Sequence, residues 1–268
     1  MNKLTIIITG CSSGIGKSLL IELLKKKNIV IIGICRNKSE LKNIDDKKLF
    51  LIECDLLKMN EVKKLILKLK KIKNINVLIN NAGSIFYENK KIFKNLTKTY
   101  FLNFFIPFLL SVKLKNNFQE KKQNLILNIG SNANKIYPIN QDDVNFEDNY
   151  FGFKSYAKSK SILLHITQKL GKMKDNVESC YVHPGLLKTK ISKNMPFFFK
   201  SIYNLVILIF GSKLEISTKF IVEKIILKKN VKNHKYFDLN NFSVKEIQLE
   251  NKLTNKIWFN SHKIIKKV

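Results

Sequence analysis

Short runs of branched apolar residues alternate along the chain with longer stretches in which apolar positions recur at helical spacing. "LTIIIT", "NIVIIGIC", "KLFLIEC", "INVLIN", "NLILNI" and "ESCYVH" are largely apolar at successive positions. A strand with one wet face would alternate instead, so these runs predict strands covered on both sides. Between them "GKSLLIELLKKK", "NEVKKLILKLKKI", "FKNLTKTYFLNFFIPFLLSVKLKNNF" and "SYAKSKSILLHITQKLGK" carry the helical period. Strand followed by helix, repeated, predicts an α/β fold of three layers: a doubly wound parallel sheet with helices on both faces. No linker, internal repeat or low-complexity tract interrupts the pattern. The chain therefore reads as a single domain over 1–268, with a helical, substrate-covering insert at about 190–212 and a short C-terminal segment.

Composition changes this picture little. In 268 residues, 45% apolar content is ample for a core. The formal charge of +29 raises the question of nucleic acid, but the lysines are spread evenly and no aromatic-basic stacking motif accompanies them, so no nucleic-acid partner is predicted. Alanine occurs three times and glycine ten times, so places where these residues gather were needed there. Four cysteines without CxxC spacing and four scattered histidines predict neither a disulfide framework nor a metal site. The opening "MNKLTIIITG" is too short in its apolar run for a secretory segment, which predicts a reducing, cytoplasmic setting. "MPFFFKSIYNLVILIFG", broken by Lys200 and Asn204, falls short of the ~20 apolar residues of a membrane span.

The first strand ends in "TGCSSGIG" and runs straight into a helix. Glycines at Gly10, Gly14 and Gly16 allow a tight turn and close backbone approach to a pyrophosphate. Ser12, Ser13 and Ile15 complete a helix N-terminus rich in unpaired N–H groups. At the end of the second strand, "GICRN" places Arg36, the only arginine in the chain, where binders of NAD(H) carry a carboxylate for the ribose hydroxyls. A planar guanidinium stacks on adenine and offers a fork of donors to a 2′-phosphate, which an ammonium does poorly. Arg36, with Asn37, thus predicts NADP(H) rather than NAD(H) as cofactor. Asp55 and Leu56 close the third strand. Asp55 is read either as an acceptor for the adenine amino group or as a strand-end cap.

"SYAKSK" puts Tyr156 and Lys160 one helical turn apart on one face. Alone the pair means little in so lysine-rich a chain. Together with "NNAG" (Asn81, Ala82 and Gly83), "NIGS" ending in Ser131, and "HPG" (His183 to Gly185), the ordered set resembles the short-chain dehydrogenase/reductase family from Leu4 to about Thr218. The resemblance implies a Rossmann fold, a nicotinamide cofactor, and a catalytic set that maps to Ser131, Tyr156, Lys160 and Asn103. It also assigns Pro184, Leu187 and Thr189 to the nicotinamide end of the cofactor. A phenol near pKa 10 is a poor base at neutral pH. A cation about 4.5 Å away at an effective dielectric of ~20 favours the phenolate by roughly 3–4 kcal/mol, which suits Tyr156 to general acid/base work. Pro107, four residues after Asn103, frees a backbone carbonyl, and the resemblance gives Asn103 a water-holding role beside Lys160. His183 and His165 are read as packed residues.

Ser131 and Tyr156 are separated by an insert containing "YPINQDDVNFEDNYFGF". That insert, "CRN", "SKLEIST" and "KIWFNSHK" look like the retinol-dehydrogenase-like branch, which implies lipophilic alcohols and carbonyls as substrates. Gly130 departs from the serine common at its position, and the N-terminal membrane helix of microsomal retinol dehydrogenases is missing, which points away from retinol itself. The aromatic segment 195–210 is read as a flap over an apolar substrate, or else as a peripheral membrane contact. A homodimer is consistent with the family. The competing reading is a nicotinamide-binding regulatory or scaffold protein with little turnover. The complete Ser131, Tyr156, Lys160 and Asn103 set argues against it.

Overall fold

The computed structural model describes residues 3–120, 123–147, 152–173, 176–187, 214–227 and 235–266. The expected insert at 190–212 and Thr189 lie outside the described residues. All six expected strands form: β1 (Leu4–Thr9), β2 (Ile29–Cys35), β3 (Leu49–Glu53), β4 (Ile75–Asn80), β7 (Asn124–Ile129) and β8 (Val177–His183). Two further strands, β9 (Lys235–Asp238) and β10 (Ser243–Glu246), extend the sheet to eight, in the order β10-β9-β8-β7-β4-β1-β2-β3. Every pairing in this sheet is parallel except that of β10 with β9. The chain builds outward from β1 through β2 to β3, then returns to place β4 on the other side of β1. The crevice between the β1 and β4 ends is the switch point where doubly wound sheets bind ligands.

Neighbouring residues of one strand enter different cores, which is why the strands lack polar alternation; β3, at the edge of the sheet, is the exception, with no fully buried residue and Phe50 exposed, so the expected cover on both faces does not hold there. Ile7 of β1 packs in one cluster while Ile6 and Ile8 pack in the other. Leu78 of β4 likewise faces away from Val77 and Ile79. Helix α1 (Gly14–Leu24) buries Leu19, Leu20 and Leu23 on one face of the sheet. Helices α2 (Met59–Leu69), α3 (Ile106–Lys113) and α4 (Gly152–Leu170) cover the other. Trimming one such buried Ile or Leu to Ala costs about 2–5 kcal/mol.

The long helical pattern expected from Phe93 to Phe118 needs correction. Its start is a small hairpin of β5 (Lys91–Phe93) and β6 (Leu96–Thr97), turned at Lys94, whose φ of 52° lies in the left-handed region. Thr97 then accepts from the Tyr100 N–H at 3.3 Å, a side-chain cap that starts the helical run. Residues Phe101–Phe105 wind as a π-helix before α3 begins, with Pro107 in its first turn. The wider turn falls around Asn103, four residues before the proline that cannot donate to its carbonyl.

Helix α5 (Leu214–Phe220) continues into a π-helical stretch, Ile221–Ile226, and α6 (Asn251–Ile265) packs across α4. The spacer between Ser131 and Tyr156 is fastened to α4 by a buried Lys158–Asp143 ion pair at 2.5 Å and by Ile139 N–H donating to Ser161 Oγ at 2.9 Å. These ties fix the turn of α4 that carries Tyr156. Among the described residues no helix is long and apolar enough to cross a membrane.

Candidate functional site

At the β1/β4 switch point a cleft of about 1060 Å³ runs along the C-terminal ends of the parallel strands. Of the residues expected at the site, Gly10, Ser12, Ser13, Gly14, Ile15, Arg36, Asn37, Asp55, Leu56, Asn81, Ala82, Gly83, Ser131, Tyr156, Lys160, Pro184 and Leu187 all line it. Gly16 and Asn103 do not. Both are buried behind its wall.

The glycine turn is held from β4. Thr9 Oγ1 accepts the N–H groups of Asn81 and Ala82 at 3.0 and 3.1 Å, and Asn81 Nδ2 donates to the carbonyls of Thr9 and Gly10 at 2.9 and 3.0 Å. The first asparagine of "NNAG", Asn80, faces inward to Asn128 and Ser111, and the second clamps the turn. Gly10 has φ 67° and Gly14 φ 52°, conformations that cost a residue with a Cβ. Gly16 serves contact rather than ligand: a Cβ there would lie 2.1 Å from the Gly10 carbonyl oxygen and 2.4 Å from Asn81 Nδ2. Helix α1 carries no side-chain cap and no acidic residue in its first turn. Its N–H groups therefore open on the cleft uncompensated, a cradle that fits a pyrophosphate.

At one end Arg36 is exposed and lies at the cleft rim. Asn37 accepts the Ser39 N–H at 2.9 Å and so caps the short turn that follows. Asp55 Oδ1 accepts the Leu57 N–H at 3.1 Å, which realises the strand-end cap. Cys35 and Cys54 sit in the same wall. Burial pushes the Cys54 thiol up to about 12 and raises that of Cys35 as well, so both behave as inert packing groups.

At the opposite end α4 presents Tyr156 and Lys160. Lys160 Nζ lies 5.8 Å from the Tyr156 ring centroid and donates to the Ile129 carbonyl at 2.8 Å. Burial brings its pKa down to about 7. Gly83 fits against it: a Cβ there would stand 3.4 Å from Lys160 Nζ and 3.0 Å from Asn103 Oδ1. Asn103, fully buried, donates to the Ser84 carbonyl at 2.9 Å and to Ser159 Oγ at 3.1 Å, and accepts the Ser84 N–H at 3.0 Å. Its side chain therefore joins the "NNAG" loop to α4. Ser131 Oγ accepts the Ala133 N–H at 3.2 Å, an acceptor bond that leaves its own proton to be donated elsewhere.

The wall beyond Tyr156 is apolar. Ile85, Phe86, Tyr87, Ile136 and Phe153 line it, and the Phe153 ring lies 6.5 Å from that of Tyr156. Ile136 and Phe153 are exposed. Sequence reasoning missed this wall; the flap it named instead lies outside the described residues. Opposite stands a polar group it also missed. Asn132 donates to Asp238 at 2.8 Å, Lys135 pairs with the same carboxylate oxygen at 3.1 Å, and Asn240 accepts the Leu186 N–H at 3.0 Å. This arrangement anchors the loop after β8 to β9. Leucine and proline there, Leu187 and Pro184, face the cleft. His183 takes the Asn132 N–H on Nδ1 at 3.3 Å, and burial pulls its pKa down to about 4. It remains a neutral structural residue, as does His165, which meets Thr254 at 2.8 Å.

Known proteins resemble this chain in sequence and in fold. The family model described as short chain dehydrogenase matches residues 4–196. Retinol dehydrogenase 14 of Mus musculus is 26% identical over 77% of this chain and 68% of its own. The NADP-dependent 3-hydroxy acid dehydrogenase of Schizosaccharomyces pombe is 29% identical over 70% of this chain and 73% of its own. In three dimensions, the NADPH-bound carbonyl reductase from chicken fatty liver superposes with a TM-score of 0.66 at 21% identity, covering 92% of this chain and all of that one. The chain thus belongs to the short-chain dehydrogenase/reductase family of nicotinamide-dependent oxidoreductases, with the retinol-dehydrogenase-like branch among its relatives.

Proposed function

We propose that this protein is an NADP(H)-dependent oxidoreductase that interconverts an alcohol and a carbonyl on a small lipophilic molecule of retinoid, steroid or fatty-aldehyde type. The observation that carries the reading is one continuous cleft with Arg36 at one end and Ser131, Tyr156 and Lys160 beside an apolar wall at the other. The names of an NADP-dependent relative and of an NADPH-bound structural neighbour favour the same cofactor.

The α1 N-terminus would hold the pyrophosphate, Arg36 the 2′-phosphate, and Pro184 and Leu187 the nicotinamide side. A nicotinamide bound there supplies the hydride in reduction and accepts it in oxidation. In reduction the Tyr156 hydroxyl gives its proton to the substrate oxygen, and in oxidation the phenolate takes it back. Ser131 donates a hydrogen bond to the same oxygen, where negative charge develops. In its protonated form Lys160 lowers the cost of the Tyr156 phenolate. Ile85, Ile136 and Phe153 exclude water and favour an apolar substrate.

NADPH oxidation measured against a panel of aldehydes, ketones, retinoids and steroids tests the reading. Tyr156→Phe is expected to lower turnover of any accepted carbonyl by about 10²–10⁴-fold, the usual worth of a positioned proton donor. A loss of only a few-fold would remove Tyr156 from the chemistry.

A further inference from the structure

Gly130 and Tyr181 occupy one space. A Cβ at Gly130 would lie 2.0 Å from the Tyr181 ring, so the glycine that stands where the family commonly has serine leaves the room that this ring fills. The ring is fully buried in the middle of β8. Its other neighbour is Tyr236, its register partner on β9, stacked at 5.1 Å with an interplanar angle of 26°. Phenylalanine would serve for packing alone. The hydroxyl does more than pack. It accepts the Ser131 N–H at 2.9 Å, and its proton is directed to the Ser131 carbonyl at 3.0 Å and the Lys160 carbonyl at 3.3 Å.

We infer that Tyr181 is a positioning residue for Ser131, locking that loop in register with the turn of α4 that bears Tyr156 and Lys160. Ser131 follows the end of β7, and Lys160 belongs to a different element. Apart from Tyr181, the serine's own polar ties among the described residues are local ones, with Ala133 on its Oγ and Asn134 on its carbonyl. One phenol oxygen joins the backbone of Ser131 to that of Lys160, one helical turn from Tyr156, and so sets the serine relative to the tyrosine with which it would converge on the substrate oxygen. Tyr236 supports the same loop one residue on, donating to Asn132 Oδ1 at 2.5 Å.

This role rests on the proposed function, and the test separates the two. Carbonyl turnover, NADPH affinity by nicotinamide fluorescence, and melting temperature are measured for the wild type, Tyr181→Phe, Ser131→Ala and the double variant. Tyr181→Phe keeps the ring in its slot. It is expected to lower kcat about tenfold while the Kd for NADPH stays within threefold. The double variant is expected to be no slower than Ser131→Ala, because a positioning bond has nothing to hold once the serine hydroxyl is gone. A kcat within twofold of wild type, or losses that multiply in the double variant, overturns the role. Tyr181→Leu, smaller and equally without a hydroxyl, must show the same dependence on Ser131 if Tyr181→Phe does not fold. Should Ser131→Ala itself leave turnover unchanged, the functional reading fails and this role falls with it. Should Ser131→Ala be slow and Tyr181→Phe normal, only the role of Tyr181 fails.

Discussion

Lys160 donates to the Ile129 carbonyl at 2.8 Å, a hydrogen bond to a neutral acceptor for a cation that burial has brought down to a pKa of about 7. Holding this cation in the interior therefore comes at a cost to folding. Below pH 7 the folded protein carries in its interior a charge that the unfolded chain carries in water, so the full penalty is present. Between pH 7 and the ordinary lysine value of 10.5 the folded form has shed its proton and the penalty shrinks. Lys160→Met should thus be more stable than the wild type without cofactor, by on the order of a few kcal/mol at pH 6 and less at pH 9, and melt higher accordingly, while carbonyl reduction falls by at least ~100-fold. Thermal melts at the two pH values check the sign. A gap that widened with pH would contradict it.

Arg36 makes the case for cofactor choice. It lies at the cleft rim, where its guanidinium can meet a phosphate. On the proposed function, Arg36→Asp puts a carboxylate suited to ribose hydroxyls where a guanidinium fork would meet the 2′-phosphate, and the ratio of kcat/KM for NADPH over NADH should fall by about 10²-fold or more. Arg36→Lys keeps the charge without the fork, and should lose roughly tenfold with NADPH and little with NADH. An unchanged ratio in Arg36→Asp would place the 2′-phosphate elsewhere.

Gly16 is the sharpest steric point of the dinucleotide turn, because the nearest obstacles to a Cβ are a backbone carbonyl at 2.1 Å and a clamped amide at 2.4 Å. Neither can step aside without releasing Asn81 from the turn. Gly16→Ala should lower NADPH affinity by more than about tenfold and melting temperature by several degrees, since overpacking typically costs about 1–3 kcal/mol. Isothermal titration and a melt on the same sample check both. Normal affinity would mean that the turn tolerates α1 being pushed outward.

Six strands of the sheet were legible because apolar runs, mostly buried on both faces in all but the edge strand β3, leave few alternatives. The strands β9 and β10 were not. "KYFD" and "SVKE" are short and half polar, and lysine is so common in this chain that a polar position carries little information. The hairpin before Asn103 was hidden for a related reason: its turn uses Lys94 at positive φ where glycine or asparagine would have announced it. Scarcity was the better guide to the site. The lone arginine and the clustered glycines all proved to line or support one cleft. Tyr181 was silent, since a tyrosine inside a buried strand looks like core. The available signal was its partner, Gly130, whose missing Cβ had to mean that another group comes close.

Acid should loosen this fold through two histidines that the chemistry does not use. Burial holds His165 and His183 near pKa 4, against an ordinary 6.5. As pH drops through 6.5 the unfolded chain takes up protons that the folded chain refuses until about pH 4, so stability falls across that window and rises with pH within it. Each site can contribute on the order of 2–3 kcal/mol by pH 4. His183 also orients the loop after β8 through Asn132 and Asn240, so its replacement would disturb the cleft as well. His165 is the cleaner probe, because it meets Thr254 of α6, away from the cleft. His165→Gln should flatten the fall in denaturant midpoint between pH 6.5 and 4.5 relative to the wild type, with carbonyl reduction at pH 7 unchanged. An equal slope in both proteins would show that His165 takes up its proton in the folded state as readily as in water.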